Sequence, residues 1–205
     1  MELIIVIVGI TAAFQLQIYN EKRISRQIEI NSLSNLKMEI EINIEEFESL
    51  KEYRSDITQH SIALLEALKN GPITSEFASE HVFKLVRTST PDLQNQATQA
   101  YLESNWSYTN IELKNELLLL QTQLQELQGL SSGYQDRKQS KFMDFLFDEV
   151  DFPAFKIISM KAINSITFKN IIWNQTSDEY ELNRLYDLAS AQLHKVDSLL
   201  TVSLE

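Results

Sequence analysis

The feature that most constrains this chain is a long stretch free of glycine and proline, which begins after Gly9 and ends at Asn70-Gly71. Both residues interrupt helices, and the whole chain of 205 residues contains only 4 Gly and 3 Pro. Apolar or small residues recur along the stretch in steps of three and four, which is typical of one helix face. They are Leu33, Leu36, Ile40, Ile44, Phe47, Leu50, Ile57, Ser61, Leu64 and Leu68. We therefore predict a single helix of about 65 residues, roughly 100 Å long.

The rest of the chain is divided by a few breakers into shorter segments with helical periodicity. The breakers are Gly71-Pro72, Thr90-Pro91, Gly129 to Gly133 and Asp151-Phe152-Pro153. Two segments carry heptad repeats typical of coiled-coil packing, one from Leu113 to Leu127 and one from Phe168 to Leu200. Two long antiparallel helix pairs would bury these repeats. The predicted fold is all-α, with a transmembrane helix (1–20) that continues into a long stalk helix (21–70) and packs with an antiparallel helical bundle (71–205).

The N-terminus reads as a membrane anchor. Residues Leu3 to Phe14 carry no charge, and the apolar run continues to Tyr19, just reaching the lower limit of about 17 residues for a bilayer span. Three basic residues follow, at positions 22, 23 and 26. A secretory signal peptide and a buried core helix are alternatives, although a signal peptide would have a basic start. The predicted anchor residues are Leu3, Ile4, Ile5, Val6, Ile7, Val8, Gly9, Ile10, Phe14 and Tyr19.

A second apolar face on the stalk predicts self-association. Leu36, Met38, Ile40, Ile42 and Ile44 alternate as in a strand, but they lie inside an uninterrupted helical period. In a helix, Met38 and Ile42 point roughly opposite to the other three residues. Two apolar faces need two partners. One partner is the chain's own bundle, and we predict that Met38 and Ile42 contact a neighbouring copy in a homo-oligomer.

The junction GITAAFQLQIYNEKR, from Gly9 to Arg23, resembles that of a Bacteroidetes-type family of single-pass membrane proteins of unknown function. Two later blocks are also similar, Ala100 to Asn105 and the helix that begins at Phe168-Lys169-Asn170. The resemblance implies a bacterial inner-membrane protein whose helical domain lies in the periplasm. By the positive-inside rule alone, the basic residues after the anchor would place that domain in the cytoplasm. The family brings no catalytic residues to this sequence.

Composition and motifs point away from catalysis. The chain has 18 basic and 29 acidic side chains, a net charge of −11, with no basic stripe, which argues against nucleic acid as a partner. It contains no cysteine and no Gly-x-Gly spacing. His60, His81 and His194 fall in different predicted helices without metal-ligand spacing. The acidic cluster from Asp144 to Asp151 reads as a solvated helix end, with a Ca²⁺ site as the alternative, although it lacks the alternating ligands and central glycine of a calcium loop. We predict no catalytic residue, cofactor or metal.

Two aromatic groups are candidates for partner contacts. Trp106 and Tyr108 flank a turn between two predicted helices, where they either plug the core or contact a ligand or partner. Phe142 and Phe145 belong to the apolar segment FMDFLF, which either packs on the first helix or forms a partner surface.

Together these features predict a non-enzymatic, membrane-anchored helical scaffold, or an accessory subunit of a cell-envelope complex. Its partners would be the lipid bilayer, further copies of itself and, in the accessory role, another envelope membrane protein. The alternative is an extracytoplasmic ligand-sensing bundle, with its pocket near Trp106 and Tyr108, that signals through a partner.

Overall fold

A computed structural model of the chain describes residues 2–88 and 91–204, with side chains described from residue 10 onward. It is 86% helical, which confirms the all-α prediction. Seven α-helices are present in the described ranges: α1 Glu2–Asn70, α2 Ser75–Leu85, α3 Gln96–Glu103, α4 Ile111–Arg137, α5 Asp144–Glu149, α6 Met160–Ile163 and α7 Ile166–Leu204. A 3₁₀ turn covers Asn105–Tyr108, and a π-helical turn covers Lys138–Met143.

Helix α1 is continuous from Glu2 to Asn70, as the absence of breakers predicted. The alternating segment around Met38 is therefore helical and not a strand. Helix α1 ends at Asn70, where Gly71 takes a φ of 147° that L side chains rarely adopt. Helix α2 then starts with a side-chain cap, in which the Thr74 hydroxyl accepts a hydrogen bond from the Phe77 amide.

The side chains of the predicted anchor are described only in part. Leu3, Ile4, Ile5, Val6, Ile7, Val8 and Gly9 lie outside the residues whose side chains the structure describes. Ile10, Phe14 and Tyr19 are all exposed. Among the described residues, no helix has the length and apolar character that a bilayer crossing requires.

The chain divides into two compact units, each made of separate stretches of sequence. Unit 1 comprises Met1–Ile42, Gln94–Leu117 and Lys195–Glu205, and unit 2 comprises Asn43–Leu93 and Leu118–His194. This division differs from the predicted segments 1–20, 21–70 and 71–205, because each of the three long helices contributes residues to both units.

In unit 1, α1, α4 and α7 bury a shared set of apolar side chains. Helix α4 is antiparallel to α7, because Asn110 contacts Ser203 while Glu116 contacts Lys195. Lys37 of α1 reaches Asp197 of α7 at 2.7 Å. The fully buried residues are Leu36, Ile40, Leu113, Leu117, Val196 and Leu200.

In unit 2, α1 and α7 run antiparallel. Phe47 packs on Tyr186, whereas Ser61 hydrogen-bonds to Thr176, so the contacts on α7 move toward its start as α1 proceeds. The core also takes in α2, α5 and the π turn, and its fully buried members include Leu64, Ala78, Val82, Leu85, Leu146, Ile163, Phe168 and Ile172.

One local prediction was wrong, and one short element was not predicted. Gly129 and Gly133 do not break the chain, because α4 continues through them to Arg137 while Leu127 and Tyr134 are buried on either side. Tertiary packing overrides the penalty of about 1 kcal/mol for a helical glycine.

A two-stranded antiparallel hairpin, β1 Val150–Asp151 and β2 Lys156–Ile157, follows α5 and was not predicted from the sequence.

Candidate functional site

A continuous stripe of exposed residues runs along α1, and we call it the α1 seam. Its members follow spacings of four and three residues, and all are exposed: Ile24, Ile28, Asn31, Asn35, Met38 and Ile42. Met38 is 52% exposed and Ile42 is 43% exposed, although both are large apolar side chains. The predicted contact residues therefore lie on the surface of unit 1.

The α1 seam lies on the opposite side of the helix from the core of unit 1. Leu33, Leu36 and Ile40 face that core and are at most 6% exposed. A residue two positions further along a helix is turned by about 200°. Met38 and Ile42 follow Leu36 and Ile40 by two positions, so the seam cannot join the same core.

The α1 seam has the composition of a coiled-coil interface. Its six residues alternate between the two core positions of a heptad, with Ile28, Asn35 and Ile42 at a, and Ile24, Asn31 and Met38 at d. Isoleucine at a favours two parallel strands when leucine occupies d, whereas the d positions here are Ile24, Asn31 and Met38. A polar asparagine at a single a position, such as Asn35, specifies register and oligomer state. Sequence reasoning found only Met38 and Ile42, because the two asparagines interrupt the apolar pattern.

Glu39 lies on α1 beside the α1 seam, and its side chain caps the start of α3. Its carboxylate is 5% exposed and accepts hydrogen bonds from the amides of Ala97 (2.6 Å) and Thr98 (2.9 Å) and from the Thr98 hydroxyl (2.6 Å). These amides belong to the first turn of α3, whose own N-cap residue, Asn95, makes no side-chain cap bond. A carboxylate there satisfies unpaired donors and interacts favourably with the helix dipole.

Trp106 and Tyr108 lie in the 3₁₀ turn before α4. Trp106 is half-buried, whereas Tyr108 is 68% exposed and its ring lies 3.5 Å from the Lys114 ammonium. The next helix is capped by Asn110, whose side-chain oxygen accepts from the Leu113 amide at 3.1 Å. Tyr108 is thus presented to solvent at this corner, while Trp106 is partly covered.

Phe142 and Phe145 pack on Phe168 of α7 within unit 2. Phe142 is 1% exposed, and both rings stack on Phe168, with centroid distances of 6.4 and 5.2 Å. Phe147, from the same segment, is 61% exposed. The ring contacts of the first two residues are thus made with α7, whereas the sequence favoured packing on the first helix.

The core of unit 2 contains a closed polar ring that sequence reasoning missed, which we call the Arg54–Glu179 ring. Arg54 donates to Glu179 (2.9 Å) and to Asn183 (3.2 Å), while Asn183 and Thr58 complete the circle with bonds of 2.9 and 3.5 Å. Glu179 is 1% exposed, so its carboxylate is enclosed in the core. Its place on the α7 heptad repeat was the signal that could have revealed this burial.

A second buried cation lies next to this ring. Lys138, in the π turn, is 4% exposed and donates hydrogen bonds to the Arg87 carbonyl and to the Tyr134 hydroxyl. Burial lowers the pKa of Lys138 to about 8, although the nearby Glu179 opposes the shift. Burial and the Glu179 carboxylate both raise the pKa of Tyr134. The ring and Lys138 together hold two buried cations against one carboxylate.

The structure also brings together two histidines that the sequence left apart. The Nδ1 atoms of His60 and His81 lie 2.7 Å apart, and His60 Nε2 lies 3.3 Å from Asp56. Burial lowers the pKa of His81, and His60 lowers it further. No group of three or more His, Asp or Glu side chains that could hold a metal ion occurs within the described residues.

Comparisons with known proteins do not add a further description of the site. The chain matches no protein-family model, no curated protein and no solved structure at a significant level.

Proposed function

We propose that this chain is a non-enzymatic, membrane-anchored helical scaffold that self-associates through the α1 seam. In the related role of accessory subunit, it would also hold another envelope protein. The exposed heptad of the α1 seam is the observation that carries this proposal. Exposed apolar residues in one continuous stripe mark interaction surfaces, and this stripe is complementary to a second copy of itself.

The N-terminal sequence supports a parallel arrangement in a membrane. The uncharged run from Leu3 to Phe14, with Tyr19 and three basic residues after it, has the composition of a single-pass anchor. Two copies anchored in one bilayer would present their α1 helices in the same direction. The resemblance at the junction favours a bacterial inner membrane with the helical domain in the periplasm.

The proposal is tested by charging the α1 seam. In the Met38→Lys/Ile42→Lys double variant, two copies would place four ammonium groups against each other, and we expect the dissociation constant of the oligomer to rise at least about tenfold. The mass of the full chain, extracted in an uncharged detergent, is measured by native mass spectrometry. Circular dichroism checks that the variant remains helical.

A matched control comes from the same helix. Ile30 is 41% exposed, close to the value for Ile42, but it occupies neither an a nor a d position of the heptad. Ile30→Lys should leave the oligomer intact. A wild-type chain that is monomeric, or a double variant whose mass does not change, contradicts self-association through this surface. A stoichiometric second protein in place of a second copy would support the accessory role and contradict the homo-oligomer.

A further inference from the structure

A cleft lies in unit 2 where the end of α4 and the π turn face the first turns of α7. Its volume is about 420 Å³, within the range of about 300 to 1,000 Å³ typical of small-molecule sites. Phe142 and Ile171 give it an apolar wall, while Tyr134 and Gln175 reach it from the core. Local π-helical turns occur often at functional sites.

The cleft is cationic, although the protein as a whole is strongly acidic. Arg137, Lys138 and Lys141 line it together with a single carboxylate, Asp178, so the lining carries a net charge of +2. The full chain carries −11. Arg137 binds Asp178 through two hydrogen bonds of 2.9 Å, and neither lysine forms an ion pair with a carboxylate within the described residues, although Glu179 lies near Lys138.

A buried acceptor in the cleft also lacks a partner. Gln175 is 5% exposed, and its Nε2 donates to the Tyr134 hydroxyl at 3.4 Å. Its Oε1 atom has no hydrogen-bond partner in the described part of the chain. Buried polar atoms are almost always paired, so an unpaired oxygen on a residue that lines the cleft indicates a donor that the protein itself does not supply.

We propose that this cleft binds a small organic anion with an apolar body. Its carboxylate would lie near Lys138 and Lys141, its apolar part would pack on Phe142 and Ile171, and an O–H or N–H group would donate to Gln175 Oε1. A water molecule could satisfy Gln175, but it would not neutralise the two lysines. This inference goes beyond the scaffold role, which rests on residues of unit 1.

The buried lysine explains why an anion would be preferred to a neutral ligand. Because burial lowers the pKa of Lys138 to about 8, the ammonium is still charged at neutral pH but is held in an unfavourable environment. An anion in contact with it would remove that penalty. The pKa of Lys138 should therefore rise when the ligand binds.

The test uses three matched probes on the full chain in an uncharged detergent: 4-hydroxyphenylacetate, its uncharged amide 4-hydroxyphenylacetamide, and phenylacetate, which lacks the hydroxyl donor. Titration calorimetry should give a dissociation constant below about 1 mM for the hydroxy acid. The amide should bind at least about tenfold more weakly, and phenylacetate about threefold more weakly.

Variants separate the cleft from other binding. Lys138→Met should weaken binding of the hydroxy acid at least about tenfold, and Lys141→Gln about threefold. Lys141 is exposed, so its variant remains informative if Lys138→Met fails to fold. Lys161→Gln makes the same charge change at an exposed lysine outside the cleft, and it should leave binding unchanged.

Three results would overturn the inference: no binding of the hydroxy acid at about 5 mM, equal binding of acid and amide, or equal binding by Lys141→Gln and Lys161→Gln. None of them bears on self-association, which is measured separately by mass.

Discussion

The two compact units use the same three long helices in opposite ways. Unit 1 leaves apolar side chains of α1 in solvent, among them Met38 and Ile42, and buries a carboxylate, Glu39, to cap a neighbouring helix. Unit 2 instead closes its core around charged and polar side chains and keeps a cationic cleft beside them. Unit 1 therefore has an exposed apolar surface, whereas unit 2 has a buried acceptor without a hydrogen-bond partner and a cationic cleft.

The two proposals follow from this difference. The exposed apolar stripe of unit 1 is the basis for proposing a second helix as its partner. The buried unpaired acceptor and the cations of the cleft are the basis for proposing a small organic anion in unit 2. Variants confined to one unit separate the two regions, and the largest effect is expected in the core of unit 2.

Removing Glu179 would break the core of unit 2. Glu179→Leu leaves Arg54 and Lys138 buried without their carboxylate, and loss of one partner of a buried pair destabilises a protein by about 3–5 kcal/mol. Urea unfolding measures the change in the free energy of unfolding. The double variant Arg54→Met/Glu179→Leu should lose clearly less than the single variant. Equal losses would show that the ion pair is not the source of the effect.

Lys138 should make unit 2 more stable at alkaline pH. The folded chain releases this proton above about pH 8, whereas the unfolded chain keeps it up to its ordinary pKa of 10.5. Between these values the unfolded state binds more protons, so stability rises with pH. Relative to Lys138→Met, the wild type should gain about 2 kcal/mol from about pH 7 to 9.5 in urea unfolding. Parallel pH profiles would contradict a buried ammonium.

Glu39 tests the corresponding buried carboxylate of unit 1. Glu39→Ala removes three hydrogen bonds to the start of α3 and should lower the free energy of unfolding by about 2–3 kcal/mol. Glu41→Ala is the matched control, since Glu41 is exposed and pairs with Lys37 one turn away, and its loss should stay within about 0.5 kcal/mol. Similar losses in both variants would contradict the capping role.

The smallest effect concerns the histidine pair. Because burial and His60 lower the pKa of His81, the folded state resists its protonation, and stability is lost as pH falls below the unfolded value of 6.5. Glu80 opposes the shift, and Asp56, which lies 3.3 Å from His60, also pairs with Lys84. The melting temperature should fall between about pH 7 and 5, and His81→Gln should flatten that fall. An unchanged slope would exclude the pair as its cause.

Much of the helical framework follows from the sequence. The absence of breakers before Asn70 predicts α1 as one helix, and the heptad repeats predict which faces of α4 and α7 are buried, for example at Leu117 and Leu193. Because these features are local and periodic, they can be recognised in a single sequence. The glycines at 129 and 133 misled the prediction because tertiary packing decides whether a helix tolerates them.

The candidate sites could be predicted only in part. Met38 and Ile42 were predicted from their position on the helix face opposite Leu36 and Ile40. The rest of the α1 seam was not predicted, because Asn31 and Asn35 interrupt the apolar pattern. The Arg54–Glu179 ring joins residues 125 positions apart in the sequence. The cleft depends on a π turn that no local sequence pattern predicts. Contacts at such separations are set by how helices pack and not by the residues beside them.

Cysteine cross-linking of the full chain along α1 tests the central claim most directly. The chain has no cysteine, so single variants report one position each. Asn35→Cys, Met38→Cys and Ile42→Cys should all form disulfide-linked dimers, because equivalent core positions of parallel, in-register helices bring the two Cα atoms within disulfide range. Ile30→Cys, which lies off the seam, should not. Equal cross-linking at all four positions, or none at the three seam positions, would contradict self-association through the α1 seam.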